Sequence, residues 1–426
     1  MNGKLFLVLC VLLLLSCLSY ARFSQPEAKA SDGFPVHNLS TGLNYTTIQD
    51  AINANETLDG QTILVDAGVY NETVLINKSI SLIGENKYDT VLDAQTTSFV
   101  NSLVNITANN VTVANFNLTG FSFDKIDVGS CSNVTIRDNI IWSLVVCIGL
   151  NNSSNCLITG NALSGTGLEG NDLISLTSSH DCVIDNNTIE GSTYDGILLI
   201  TSNDNLIFDN LISQNQYGID FYNGPQGADY GNIVFHNNFE GNLYQINNGG
   251  GNYFNGSFEG NYWSDYTGKD PDQDGIGDTP YANLDYYPLM GTFENFIASN
   301  YDVQTISNST ISNFYFNGTA IDFDVSGENG TTGFCRICVP TALIGAGYRI
   351  LVNGTEVQYK LLPISNSTQS YLYFTYHQST QEVIITIPEF PFFLIPSLFI
   401  IETLLSATIL RRKRNMHKTR TGGLQV

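Results

Sequence analysis

The feature that most constrains this chain is an internal repeat. Five short segments share one pattern, an apolar strand that closes on an Asn: Asn133-Val-Thr-Ile-Arg-Asp-Asn139, Asn155-Cys-Leu-Ile-Thr-Gly-Asn161, Asp181-Cys-Val-Ile-Asp-Asn-Asn187, Asp204-Asn-Leu-Ile-Phe-Asp-Asn210 and Gly231-Asn-Ile-Val-Phe-His-Asn237. A degenerate copy, Asn110-Val-Thr-Val-Ala-Asn115, precedes them. Successive units start roughly 20–30 residues apart, the period of a solenoid. Val, Leu or Ile recurs at alternate positions within each unit, so one row of side chains points inward and the other outward. A second strand follows in several units, as in Asp172–Leu176, Gly196–Ile200 and Gly218–Tyr222. A leucine-rich repeat is disfavoured, because no Leu-x-x-Leu-x-Leu framework recurs and no unit has room for a helix.

The expected fold is therefore all-β: a right-handed parallel β-helix, followed by a small β-sandwich and one C-terminal transmembrane helix. Stacking sets equivalent residues about 4.8 Å apart. Asn139, Asn161, Asn187, Asn210 and Asn237 are expected to form an internal ladder, with Asn also suiting a left-handed turn.

The two ends point to export. Lys4, the apolar run Leu5–Leu18 and Ser19-Tyr20-Ala21 follow the order of a secretory signal with cleavage after Ala21. Leu14-Leu15-Ser16-Cys17 is the alternative, a poor lipobox that leaves a lipidated Cys17. Phe390–Leu410 is apolar and is followed by Arg411-Arg412-Lys413-Arg414. About 20 apolar residues span a bilayer and a basic cluster stays cytoplasmic, so the body is expected outside. Glu402 within that span costs about 2.5–3.5 kcal/mol if charged at the centre.

The net charge is −23 although only 13 % of residues are charged, because Lys and Arg are scarce. Nucleic acid is thereby excluded as a partner, since its binding needs clustered basic residues. Asn-x-Ser/Thr recurs from Asn38 and Asn44 to Asn353 and Asn366, and the turn-exposed copies are expected to carry glycan.

Three segments carry a family resemblance: Thr47-Ile-Gln-Asp-Ala-Ile52, Gly60-Gln-Thr-Ile-Leu-Val-Asp-Ala-Gly-Val-Tyr70 and Val74-Leu-Ile-Asn-Lys-Ser-Ile-Ser-Leu-Ile-Gly84. They resemble the opening of pectin-lyase-like β-helices of the NosD type. The resemblance implies that Thr47–Ile52 is a short helix capping the solenoid and that the Gly-x-Tyr strand begins the first coil. It runs to about Met290, where Gly260-Asn-Tyr-Trp-Ser-Asp-Tyr266, Asp270–Asp278, Thr279-Pro-Tyr281 and Asp285–Leu289 are similar to the close of archaeal surface proteins of this group. Pro388-Glu-Phe-Pro391 with the apolar span resembles an archaeal PEF-type sorting signal, which implies possible replacement by another anchor.

The organisation expected is a signal at 1–21, linkers at 22–46 and 291–300, the β-helix at 47–290 and the sandwich at 301–387. A transmembrane or sorting segment at 388–410 and a cytoplasmic tail at 411–426 follow.

No active site is recognisable. Asp172 and Asp195 hold matching positions of adjacent coils, with Asp220 further on, and are weak catalytic candidates. No Arg or Lys accompanies them, and exposed loop carboxylates are the plainer reading. The NosD name implies copper, but His37, His180, His236, His377 and His417 are scattered, so that role does not carry over. Cys156 and Cys182 share a repeat position and suit either a disulfide or an inward small-residue column. Cys335-Arg-Ile-Cys338 is one isolated CxxC, suited to a local disulfide or inert thiols.

Calcium is the one cofactor expected. Asp270, Asp272, Asp274 and Asp278 reproduce positions 1, 3, 5 and 9 of a calcium loop, with Gly275 at the sharp turn and Ile276 offering a carbonyl. Tyr281 stands where a bidentate Glu is usual, and Asp285 or Asp265 are the substitutes. Tyrosines from Tyr217 to Tyr262, with Trp263, either form a sugar-stacking face or finish the solenoid's end.

Three function classes follow: a non-catalytic surface protein that binds carbohydrate or adheres, a polysaccharide lyase or hydrolase, or a structural envelope component. The partners expected are surface glycans or envelope components, and the membrane through the C-terminal helix.

Overall fold

The computed structural model describes residues 33–94, 100–165, 170–222, 227–345, 347–387 and 409. They form two compact units that divide between Asn295 and Phe296.

The first unit is a parallel β-helix of three sheets with ten, nine and eight strands. Each coil adds one strand to each sheet, in register with the coil before. In the first sheet Leu157, Val183, Leu206 and Ile233 are successive partners. The alternation seen in sequence becomes three buried columns. Ile136, Ile158, Ile184, Ile207 and Val234 line the first sheet, Ile141, Leu163, Ile189 and Ile212 the second, and Ile126, Ile148, Ile174, Ile197 and Ile219 the third. Burying each such side chain contributes about 1.5–3 kcal/mol, which offsets part of the backbone ordering of its short strand.

The Asn ladder is present. The main-chain N–H of Asn139, Asn161, Asn187 and Asn210 each donates to the side-chain oxygen of the ladder Asn one coil on, at 2.9–3.1 Å. Each Nδ2 turns back to a carbonyl of the preceding coil, as from Asn187 to Ile158 at 2.9 Å. The left-handed residue is the one before the ladder Asn: Asp138, Gly160, Asn186, Asp209 and His236 all have φ between 53° and 66°. The turn strain and the bonding thus fall on neighbouring positions, a division the repeat alone does not display.

A second ladder went unread in the sequence. Ser153 N–H donates to Ser179 Oγ at 3.1 Å and Ser179 N–H to Ser202 Oγ at 3.0 Å. Its signal is a Ser two residues before three of the five unit starts, with Cys131 and Asp229 at the same place in the first and last.

Helix Ile48–Asn53 closes one end and buries Ile48, Ala51 and Ile52, with Thr47 as its N-cap. The hydroxyl of Thr47 accepts the Asp50 N–H at 3.0 Å, which satisfies a donor that the first helical turn leaves open. The hairpin Val36–Asn38 and Leu43–Tyr45 extends the first sheet antiparallel, within the segment expected as linker. At the other end Trp263 stacks between Phe239 at 4.3 Å and Tyr281 at 4.4 Å, which seals the core.

The second unit has two five-stranded antiparallel sheets around one core that includes Val303, Ile321, Ile337, Ile350, Phe374 and Ile385. Thr292–Ala298, expected as linker, is a strand of the first of these sheets. Cys335 and Cys338 lie in one strand, Thr332–Pro340. Side chains three residues apart in a strand face opposite ways, so the expected local disulfide does not form there.

The signal segment and nearly all of the apolar C-terminal span lie outside the described residues. Among the described residues no helix is long and apolar enough to cross a membrane, and the expected transmembrane helix is without support.

Candidate functional site

The third sheet carries the most unusual chemistry. Asp172 and Asp195 each stand two residues before the paired Ile174 and Ile197. Asp195 pairs with Tyr217 of the next strand, and Tyr217 with Tyr244 of the one after. One row therefore runs Asp172, Asp195, Tyr217, Tyr244 along four successive coils.

The two carboxyl groups are not the exposed loop groups that the plainer sequence reading had. Asp195 is 0 % exposed, and neither of its oxygens meets an N–H or hydroxyl donor, nor does Oδ1 of Asp172. The main-chain N–H of Asp195 points at the Asp172 carboxyl group, and a hydrogen bond between the two side chains takes a shared proton. Burial pushes Asp172 up to about 7. Burial, with the charges of Asp172 and Asp220 behind it, pushes Asp195 up to about 8. Asp220 is also raised by burial, while the side-chain amides of Asn247 at 2.9 Å and Asn248 at 3.4 Å draw it back.

Beside the pair, Tyr194 meets Tyr217 edge-on at 5.8 Å, and Tyr217 stacks on Tyr244 at 5.1 Å. Tyr244 is 53 % exposed. The tyrosines thus divide: Tyr217 and Tyr244 form an outer platform, while Trp263 belongs to the core end. The nearby Lys125 is fully buried and donates to Ser122 Oγ at 3.0 Å, so it is no partner for a ligand.

A general acid at neutral pH needs a carboxyl held protonated, and this pair supplies one. Glycosidases set their two carboxyls about 5–5.5 Å or 6.5–9.5 Å apart to admit a sugar carbon or a water.

In the acidic loop, Asp270, Asp272 and Asp278 bring one oxygen each within 4.8 Å of one another. Asp270 accepts the N–H of Asp274 at 3.0 Å and of Gly275 at 2.8 Å. Asp274 does not join the three; its Oδ1 accepts the Ile276 N–H at 2.8 Å. Gly275 has φ +86°, the turn expected of it. Ile276 buries its side chain and bridges to Leu289. The two expected substitutes are committed elsewhere: Asp285 accepts Asn261 N–H, Trp263 Nε1–H and Tyr287 N–H, and Asp265 accepts the Tyr281 hydroxyl at 3.1 Å.

Copper fits poorly. His37 is held by Asn44 at 2.8 Å and Asp66 at 3.0 Å, and His236 lies between Asp209 at 3.6 Å and Glu259 at 2.8 Å. Cys156 and Cys182 touch, but at 2 % and 0 % exposure they are sealed inside the solenoid. Among the described residues no three His or Cys side chains gather into a soft-donor site.

The family described as periplasmic copper-binding protein (NosD) matches residues 54–268, about half of the chain. The chain belongs to this family. It is 34 % identical over 111 residues to a cell surface glycoprotein of Methanothermus fervidus, covering 26 % of this chain and 18 % of that protein. The chain thus spans less than a fifth of the length of that relative. Among solved structures, an alginate lyase from Paenibacillus sp. str. FPU-7 shares 16 % identity over 47 % of this chain and 96 % of its own, with a TM-score of 0.35. A pectin methylesterase from Yersinia enterocolitica shares 15 % over 46 % and 79 %, with a TM-score of 0.28.

Proposed function

We propose that this chain is a non-catalytic cell-surface protein that binds neutral glycan along the third sheet of its β-helix. The observation that carries this reading is the row in which Tyr217 and Tyr244 stack in line with the Asp172 and Asp195 pair. Aromatic faces cover the apolar side of a sugar ring. The matched relative is a cell surface glycoprotein, and the apolar ends fit export with membrane anchoring.

A glycan array probed with the full chain tests the reading. Wild type retains specific glycans, and Tyr217→Ala with Tyr244→Ala weakens retention at least tenfold, the effect of losing about 1.4 kcal/mol. Equal retention by both proteins refutes it.

A second reading, a polysaccharide lyase or hydrolase, draws on the elevated Asp172 and Asp195. Incubation with plant, algal and microbial polysaccharides decides between them: new chain ends with wild type and none with Asp195→Asn favour the enzyme.

We also propose that Asp270, Asp272 and Asp278 hold one calcium ion with the help of solvent, since three converging carboxylates repel one another without a cation.

A further inference from the structure

Two loops of the C-terminal unit carry the same local arrangement. Asn317 lies between the strands Thr310–Phe316 and Ala320–Ser326, and Asn366 lies shortly before Gln369–His377. In each, the Asn side-chain oxygen accepts three hydrogen bonds. For Asn317 the donors are Thr319 N–H at 2.9 Å, Thr319 Oγ1 at 3.0 Å and Ala320 N–H at 2.8 Å. For Asn366 they are Thr368 N–H at 2.8 Å, Thr368 Oγ1 at 2.7 Å and Gln369 N–H at 3.1 Å. The main chain closes the same turn both times, from Asn317 N–H to Ala320 O and from Asn366 N–H to Gln369 O. Both Asn and both Thr are exposed, and a side chain added at Gly318 would meet nothing within 4 Å.

We propose that Asn317 and Asn366 are the preferred N-glycan acceptors of this chain, an inference that rests on the export reading above. The donor is a glycan joined to a polyprenyl phosphate. Nδ2 gives up a proton to a base of the transferase and bonds to C1 of the first sugar. The bond from C1 to the phosphate oxygen breaks, and the lipid phosphate leaves with the electron pair. Three donors on Oδ1 draw density from the amide and ease loss of that proton. All three bonds span two or three residues, so the arrangement is set locally.

Three other acceptor motifs have the same atom engaged in the fold. Asn38 Oδ1 accepts from Ser40 and Thr41, but its Nδ2 is buried and donates to Thr57 Oγ1 at 2.9 Å and Gln61 Oε1 at 2.8 Å. Nδ2 of Asn133 donates to Asn110 Oδ1 at 3.1 Å, one coil away, and that of Asn308 to Thr332 O at 3.1 Å. A sugar on any of these breaks a bond the fold uses, and at Asn38 it has no room.

Glycopeptide mass spectrometry on the full chain, purified from envelope and cytosolic fractions of its source, tests this. High occupancy is expected at Asn317 and Asn366, with Asn38, Asn133 and Asn308 bare. Thr319→Ala and Thr368→Ala abolish occupancy at their own sites, whereas Thr319→Ser restores it by returning the hydroxyl. Bare Asn317 and Asn366 in a protein glycosylated elsewhere overturn the assignment and leave the surface reading standing. An envelope protein with no glycan at all does the same. A cytosolic, unmodified chain overturns both.

Discussion

Asn261 and Asp285 are consecutive members of one ladder, with the main-chain N–H of Asn261 donating to Asp285 Oδ2 at 2.8 Å. The row of amides thus ends on a carboxyl group. Asp285 is fully buried, and burial pushes it up to about 6 even though three N–H groups point at it. Replacing Asp285 by Ala strands those three donors, at about 1–3 kcal/mol each for a buried unsatisfied group. The expected outcome is a loss of several kcal/mol in urea unfolding, with Asp285→Asn much milder because an acceptor oxygen is kept. Equal midpoints for the two variants count against the ladder's closure.

Within the solenoid, Asn187→Ala removes an acceptor and two donors from a buried position, whereas Asn186→Ala replaces an exposed residue at φ 53°. The first is expected to cost about 2–4 kcal/mol, from the range for unsatisfied buried polar groups. The second costs about 1–2 kcal/mol, the left-handed penalty. Thermal melts of both variants check the order.

The Asp172 and Asp195 pair makes stability depend on pH with a definite sign. Both folded pKa values are raised, to about 7 and about 8, so the native state holds protons that the unfolded chain releases. Stability from this pair is greatest below the unfolded value near 4 and declines as pH rises to about 8. Melting temperature is expected to fall from pH 5 to pH 9, and Asp195→Asn, which supplies its own donor, should flatten that fall. Parallel curves for the two proteins would show that the pair is not proton-sharing.

Calcium is expected to bind weakly, with Kd about 10⁻⁴–10⁻³ M as in extracellular modules. Calorimetry on wild type against Asp272→Ala with Asp278→Ala should show heats in the first only. Asp274→Ala should reduce affinity less, since Asp274 holds the loop through Ile276 and not the three-carboxylate cluster. Identical titrations in all three proteins exclude the site.

The solenoid was legible in the sequence because its determinants are local and repeated. A Val or Ile at alternate positions and an Asn at each turn recur from Asn133 to Asn237, and each copy reports the same burial. The Gly275 turn and the Thr47 cap were legible for the same reason, since their partners lie within a few residues. What only the tertiary structure decided are relations across coils. Register places Asp195 beside Tyr217, stacking turns exposed-looking aspartates into a pair with Asp195 buried and Asp172 partly so, and Asp285 is drawn away from the acidic loop to end the Asn row. A residue's neighbour in a parallel solenoid lies some two dozen positions away along the chain, and coil lengths vary. Which side chains meet is therefore set by the pairing of strands, and burial, which moves the carboxyl pKa values, appears only once those strands have closed around them.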